Sequence, residues 1–135
     1  MRVLLSAFAL MQLTSPAFAE GDVANGESLF SHCKSCHEIA DGDNLMVRGG
    51  RSGPNLFAII GAPAAAGDFR YSDGMRALAE AGVVWTEANF VAWVTDPGQF
   101  LTDTLGVTAL RIRKTFQLAS GAEDIAAYLA SLNTQ

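Results

Sequence analysis

The chain contains only two cysteines, three positions apart, and a histidine directly follows the second, in the order Cys33, Cys36, His37. On a helical turn, residues i and i+3 are neighbours, so both thiols can form thioethers with the two vinyl groups at one edge of a haem. The imidazole of the next residue then reaches the iron as an axial ligand. This Cys-x-x-Cys-His spacing is the attachment signature of haem c, and it predicts a fold that wraps one covalently bound haem.

Three other uses of two close cysteines compete with this interpretation. A thioredoxin-like dithiol is disfavoured because no βαβ pattern surrounds the pair, and a zinc site is disfavoured because no second Cys or His pair completes four ligands. A strained disulfide is compatible with an exported protein. The adjacent His37 favours haem over all three uses. The other histidine, His32, is interpreted as an exposed helical residue.

The first 19 residues have the pattern of a secretory signal peptide. A basic residue, Arg2, precedes an apolar run over Val3–Leu13, and an Ala-x-Ala cleavage motif ends at Ala19. The apolar run is too short to span a bilayer as a mature helix, although a retained anchor is the alternative. We therefore expect cleavage after Ala19 and export to the periplasm.

Removing residues 1–19 leaves 116 residues and shifts the net charge from −5 to −6, because one arginine and no acidic residue are lost. A chain of this length is expected to form one domain, residues 20–135. Its acidic balance argues against nucleic acid as a partner, since phosphate binding needs clustered Lys and Arg. No apolar stretch long enough for a membrane span remains.

Local patterns predict an all-α domain of about four to five helices wrapped around the haem. Asp22 is predicted to cap a first helix that runs toward the Cys motif, and a short helical turn is predicted over Gly53–Ile60. A further helix is predicted over Asp73–Ala81, where Gly82 stops it, and another begins at the cap Thr86 and ends at Asp96 and Pro97. A capping box over Ser120–Glu123 is predicted to begin the last helix. That last helix has one apolar face, formed by Ile125, Tyr128, Leu129 and Leu132. Residues 38–53 and 98–119 are predicted loops, and no segment is predicted to be a paired strand.

Five further segments form a recognisable set around Cys33–His37. They are Gly21–Phe30, Gly53–Leu56, Phe69–Tyr71, Val84–Trp85 and Asp124–Leu129. Together with the Cys motif they resemble the class I c-type cytochromes, specifically the larger mitochondrial-like group in the periplasm of purple bacteria. The resemblance covers nearly the whole of residues 20–135.

The resemblance implies roles for four residues. Gly26 would lie where the last helix crosses closely, and the carbonyl of Pro54 would accept a hydrogen bond from the imidazole of His37 and raise its basicity. Tyr71 and Trp85 would reach a haem propionate. For both aromatic residues, simple core packing is the alternative.

One departure from the family concerns the second axial ligand. In the family this ligand is a methionine before the last helix, whereas here Lys114 occupies that position and no methionine follows Met75. A neutral lysine amine is a competent haem ligand, and a nitrogen donor favours ferric iron relative to a thioether. The sequence therefore predicts a His37/Lys114 haem of low potential. The alternatives are an open or water-bound iron with Lys114 at the surface, or recruitment of Met46 or Met75.

The predicted function is electron transfer by a soluble periplasmic cytochrome that is not an enzyme, because no cluster of general acid, base or nucleophile is recognisable. The alternatives are a haem sensor that binds NO, CO or O₂ at an open or labile distal site, and an electron-transfer subunit of a larger oxidoreductase. The expected partners are periplasmic redox proteins, without nucleic acid or a membrane span, and the expected state is a monomer.

Overall fold

The computed structural model of the chain describes residues 20–107, 111–112 and 116–134. Within these residues the chain forms five α-helices, which are α1 (Val23–Leu29), α2 (Asp73–Glu80), α3 (Glu87–Thr95), α4 (Pro97–Leu105) and α5 (Ala122–Ser131). Single 3-10 turns follow α1 and α5, at Phe30–His32 and Leu132–Thr134, and an antiparallel hairpin joins β1 (Ile39–Asp41) to β2 (Asn44–Val47). The predicted all-α domain with four to five helices is confirmed.

Two predicted features, the signal peptide of residues 1–19 and the ligand Lys114, lie outside the described residues. None of the helices within the described residues combines the length and the apolar character that crossing a membrane requires.

The main core forms where α1 and α3 pack on α5. The apolar face predicted for α5 is confirmed, since Ile125, Tyr128, Leu129 and Leu132 are all buried. Phe30, which follows α1, is 1% exposed, and its ring centroid lies 5.9 Å from that of Tyr128. Burying side chains of this size stabilises a fold by about 1.5–3 kcal/mol each.

The helices α1 and α5 cross in direct backbone contact. A Cβ atom at Gly26 would overlap the carbonyl oxygen of Asp124, and one at Gly21 would overlap that of Glu123. The close crossing that the resemblance implies at Gly26 is therefore confirmed. It depends on the absence of a side chain rather than on an unusual backbone angle.

Two carboxylates join these helices beside the crossing. The carboxylate of Asp22 caps α1, as predicted, by accepting a hydrogen bond from the backbone N–H of Asn25 at 3.0 Å. The carboxylate of Asp124 accepts from the backbone N–H of Asp22 at 2.8 Å and from the side-chain amide of Asn25 at 2.6 Å. These bonds hold the pKa of Asp124 below its usual range. The bond from the Asp22 backbone contributes more than the bond from Asn25.

The lowered pKa of Asp124 makes the stability of the α1–α5 contact depend on pH. The ionised carboxylate of Asp124 contributes its full stability above the ordinary pKa of 3.8. This contribution is lost as the pH falls through the lower pKa of the folded protein. We expect Asp124→Asn to lower the urea midpoint at neutral pH, and to lose less stability than the native protein between about pH 5 and pH 2. Asp43→Asn, at the exposed hairpin turn, is the control of equal charge. If the native protein and Asp124→Asn lose the same amount of stability between about pH 5 and pH 2, this account is contradicted.

The boundaries of α2 and α3 follow the predicted signals closely. The structure gives α2 as Asp73–Glu80 and the prediction gives Asp73–Ala81, with Gly82 after the helix at a left-handed φ of +74°. The hydroxyl of Thr86 accepts a hydrogen bond from the backbone N–H of Asn89 at 3.1 Å and so begins α3.

The predicted loop over residues 98–119 is wrong where α4 forms. The carboxylate of Asp96 accepts a hydrogen bond from the backbone N–H of Gln99 at 3.0 Å, and Pro97 occupies the first turn, where a missing N–H is tolerated. The two residues that end α3 therefore also begin α4, which stops at Gly106 with a φ of +69°.

Three other local predictions are wrong. Residues 38–53 are not all loop, because they contain the hairpin, whose turn includes Gly42 at a φ of +56°. Residues 53–60 form turns rather than a helical segment, and Ala58 in this stretch has a φ of +54°, which a helix cannot contain. The Ser120–Glu123 capping box does not form, because Gly121 rather than Ser120 occupies the N-cap of α5.

A second apolar cluster lies between α2, α3 and α4. Trp85, Trp93 and Phe100 pack together with ring centroids 5.9, 6.0 and 6.2 Å apart, and Leu78 is fully buried beside them. The cluster fixes Trp85, which precedes α3, between two helices.

Candidate haem site

Cys33, Cys36 and His37 follow directly on the 3-10 turn after α1. The backbone N–H groups of Cys36 and His37 both donate to the carbonyl of Cys33, at 3.1 and 2.9 Å, so the chain keeps a helical turn through the motif. The hydroxyls of Ser52 and, to a smaller extent, Ser35 lower the pKa of the Cys36 thiol through hydrogen bonds. The turn brings both thiols and the imidazole to one wall of a single cavity.

That cavity has a volume of about 620 Å³, within the range of cofactor sites. Its wall is largely apolar and includes Leu56, Phe57, Ile59, Phe90 and Leu118, and no Lys, Arg, Asp or Glu belongs to the part of the wall that the structure describes. An apolar cavity with two thiols and one imidazole at the same wall suits a flat macrocycle that is held by two thioethers and one axial nitrogen. The residues present therefore fit haem c.

The imidazole of His37 is held from two sides. Its Nδ1 donates a hydrogen bond to the carbonyl oxygen of Pro54 at 2.7 Å, which leaves Nε2 with the lone pair that a metal needs. The backbone of Gly53 packs directly on the ring, where a Cβ atom would overlap Cε1 of His37. The N–H of Gly53 also donates to the carbonyl of Cys36 at 2.8 Å.

Two more glycines bring their segment against the haem motif, a role that sequence reasoning missed. A Cβ atom at Gly49 would overlap the carbonyl oxygen of His37, and one at Gly50 would overlap that of Ser35. The N–H of Gly50 donates to the carbonyl of Lys34 at 2.8 Å. Their composition indicated only a loop, and a contact with residues more than ten positions away leaves no local signal.

Asn55 is a third residue whose role sequence reasoning missed. Its side-chain oxygen accepts from the backbone N–H groups of Ala40 and Phe57, both at 3.0 Å, and its amide donates to the carbonyl of Ala40 at 2.7 Å. The two bonds to Ala40 tie β1 to the segment that carries Pro54, and the bond to Phe57 holds the turn within that segment. Asn55 thus fixes the carbonyl that holds the His37 imidazole.

Replacing Asn55 by alanine is expected to lower the free energy of unfolding by about 1–3 kcal/mol, because two backbone groups of Ala40 lose their partners. Urea unfolding of the haem-loaded protein measures this loss. Asn44→Ala, at an exposed position in β2, is the matched control. An Asn55→Ala protein as stable as that control would show that these bonds contribute nothing.

Tyr71 and Trp85 line the same cavity as His37. The hydroxyl of Tyr71 accepts a hydrogen bond from the backbone N–H of Gly67 at 3.1 Å, and Trp85 is 4% exposed. The backbone N–H of Trp85 donates to the carbonyl of Ala62 at 2.8 Å, which fixes the indole in the wall.

The alternative methionine ligands differ in position. Met75, in α2, lines the cavity, whereas Met46, in β2, packs against the main core. His32 is exposed, as interpreted, and lies at the rim of the cavity. Phe116, which is 50% exposed, belongs to the described wall of the same cavity.

The chain is similar over nearly its whole length to bacterial cytochromes. It is 47% identical to cytochrome c-551 of Roseobacter denitrificans over 133 residues, which are 98% of this chain and 96% of that protein. It is 42% identical to cytochrome c2 of Rhodobacter capsulatus over 136 residues, 98% of each chain. No family model matches the chain.

Solved structures share the fold. The X-ray structure of ferric cytochrome c-550 from Paracoccus versutus gives a TM-score of 0.80 at 39% identity, covering 83% of this chain and 98% of that one. A ferric Met-to-Lys variant of the same cytochrome gives a TM-score of 0.81 at 39% identity, covering 85% and 98%. Fold and site are those of a c-type cytochrome. The chain belongs to the class I c-type cytochromes, which are electron carriers rather than enzymes and bind one covalently attached haem c.

Proposed function

We propose that the chain is a periplasmic electron-transfer cytochrome whose haem has His37 and Lys114 as axial ligands and a low reduction potential. The observation that carries the haem assignment is the wall where Cys33, Cys36 and His37 meet, with Nδ1 of His37 bonded to Pro54. Export follows from the signal peptide, with cleavage after Ala19 and the domain formed by residues 20–135.

The residues of the site have distinct roles in this proposal. Cys33 and Cys36 form the thioethers, and the carbonyl of Pro54 orients the imidazole of His37 and makes it a stronger donor. Tyr71 and Trp85 would contact a haem propionate. A charged propionate that is removed from water needs hydrogen-bond donors. Haem c supplies one-electron ferric and ferrous redox chemistry when bound.

The case for Lys114 rests on composition and on one relative. The chain has no methionine after Met75, so no thioether is available in the segment before α5. The fold of the Met-to-Lys variant of cytochrome c-550, which is the fold of this chain, accommodates a lysine in place of a methionine. A lysine amine has an ordinary pKa of about 10.4, so its binding at neutral pH requires the iron to displace a proton.

The chain contains one further lysine, Lys34, and this gives the test of the ligand a matched control. Ferric electron paramagnetic resonance and optical spectra are compared between the haem-loaded native protein, Lys114→Ala and Lys34→Ala across pH. We expect the low-spin ferric signal to be lost or altered in Lys114→Ala alone. The native spectrum is expected to lose amine ligation on acidification, when the proton outcompetes the iron.

Carbon monoxide separates this proposal from a haem sensor. A closed six-coordinate ferrous site binds CO slowly, whereas Lys114→Ala is expected to bind it fast. A native protein that binds CO as fast as Lys114→Ala, or a ferric native spectrum with a thioether-to-iron band, would overturn the proposed ligation.

A further inference from the structure

A second cavity, separate from the haem cavity, lies between α3, α4 and the start of α5. It is an open groove of about 1000 Å³ with an apolar floor whose accessible residues include Ile60, Ala88, Val91 and Ala92. Five carboxylates line it, and with this floor they define what we call the acidic groove; they are Glu20, Glu87, Asp96, Asp103 and Glu123.

The acidic groove holds no cation among the residues that the structure describes in its lining. Local structure accounts for two of its carboxylates, since Asp96 caps α4 and Asp103 accepts a hydrogen bond from the side-chain amide of Gln99 at 2.7 Å. Glu87 and Glu123 lie in the first turns of α3 and α5, where a helix favours negative charge. None of these local reasons explains why carboxylates from three helices and from the segment before α1 surround one apolar floor.

The acidic groove and the haem cavity share one wall. Trp85 lines both, and its ring stacks on that of Phe100 at a centroid distance of 6.0 Å and an interplanar angle of 27°. The haem cavity contrasts with the groove in charge, because its described wall contains no Lys, Arg, Asp or Glu. Because Trp85 is 4% exposed, a molecule in the groove would contact mainly the accessible residues Val91 and Ala92.

We propose that the acidic groove binds a basic amphipathic segment of a redox partner protein. An apolar side chain of that segment packs on the floor at Val91 and Ala92, and flanking Lys or Arg residues pair with Glu87, Asp103 and Glu123. Opposite charges at such a surface speed encounter and fix orientation. The proposal does not depend on which residue is the second iron ligand.

The test uses the haem-loaded native protein and a synthetic amphipathic helical peptide made of Leu and Lys. Binding is followed by calorimetry at low ionic strength and by amide and indole NMR shifts. We expect the largest shifts at the amides of Val91 and Ala92. The double variant E87Q and D103N is expected to weaken binding about tenfold, because two close charges are lost.

Two controls separate the groove from net charge alone. The double variant D41N and D43N, at the exposed hairpin, loses the same charge and is expected to bind the peptide within about twofold of the native protein. A peptide of the same composition, scrambled so that it has no apolar face, is expected to bind about tenfold more weakly. Equal weakening by both double variants, or shifts confined to the haem motif and Phe116, would overturn the proposal.

Discussion

Replacing Lys114 by methionine is expected to raise the reduction potential of the haem-loaded protein by on the order of 0.1–0.3 V. An amine nitrogen is a harder donor than a thioether sulfur and stabilises ferric iron more than ferrous iron. In the proposed His37/Lys114 site, the substitution would give the His/Met ligation that is typical of high-potential cytochromes c.

Spectroelectrochemical titration measures this shift, and Lys34→Met provides the control at the only other lysine. The Lys114→Met protein is also expected to gain a thioether-to-iron band in its ferric spectrum, which shows that the new methionine reaches the iron. A variant that gains the band while its potential stays at the native value would disprove the low-potential proposal. A variant without the band would place Lys114 away from the iron.

The residues that sequence reasoning identified correctly share a local signal. Thr86 caps a helix that begins at the next residue, and Ile125 and Leu129 recur at helical spacing, so neighbouring residues alone predict these features. The wrong predictions also have a local cause. Asp96 and Pro97 are signals for both the end and the beginning of a helix, and only the fold determines that they are used for both.

The supports of the haem site could not be predicted in the same way. Gly50 and Gly53 lie against the Cys motif, and Asn55 bridges to Ala40, in contacts between segments 15 or more positions apart. In the sequence, glycine-rich composition and a single Asn indicate only a loop, because the residues that they contact are distant along the chain. The Cys motif could be found because its partners are adjacent. The residues that hold it could be found only from packing.

Gly26→Ala is expected to lower the free energy of unfolding by about 3 kcal/mol or more, the largest loss of stability we predict for a single methyl group. The added Cβ atom would overlap the backbone carbonyl of Asp124, and a backbone atom cannot rotate away as a side chain can. The two helices must then separate, which also weakens the hydrogen bonds from Asp22 and Asn25 to Asp124.

Gly98→Ala isolates this effect from the general consequence of adding a methyl group to a helix. Gly98 is an exposed residue of α4, and the nearest atom to an added Cβ would be a carboxylate oxygen of Asp96 at an ordinary 3.5 Å. Alanine there is expected to be neutral or to stabilise by about 0.5–1 kcal/mol, because it restricts the unfolded chain. Urea unfolding of the two variants should therefore shift in opposite directions. If Gly26→Ala is as stable as Gly98→Ala, the two helices can move apart without loss, and the crossing does not hold the chain around the haem.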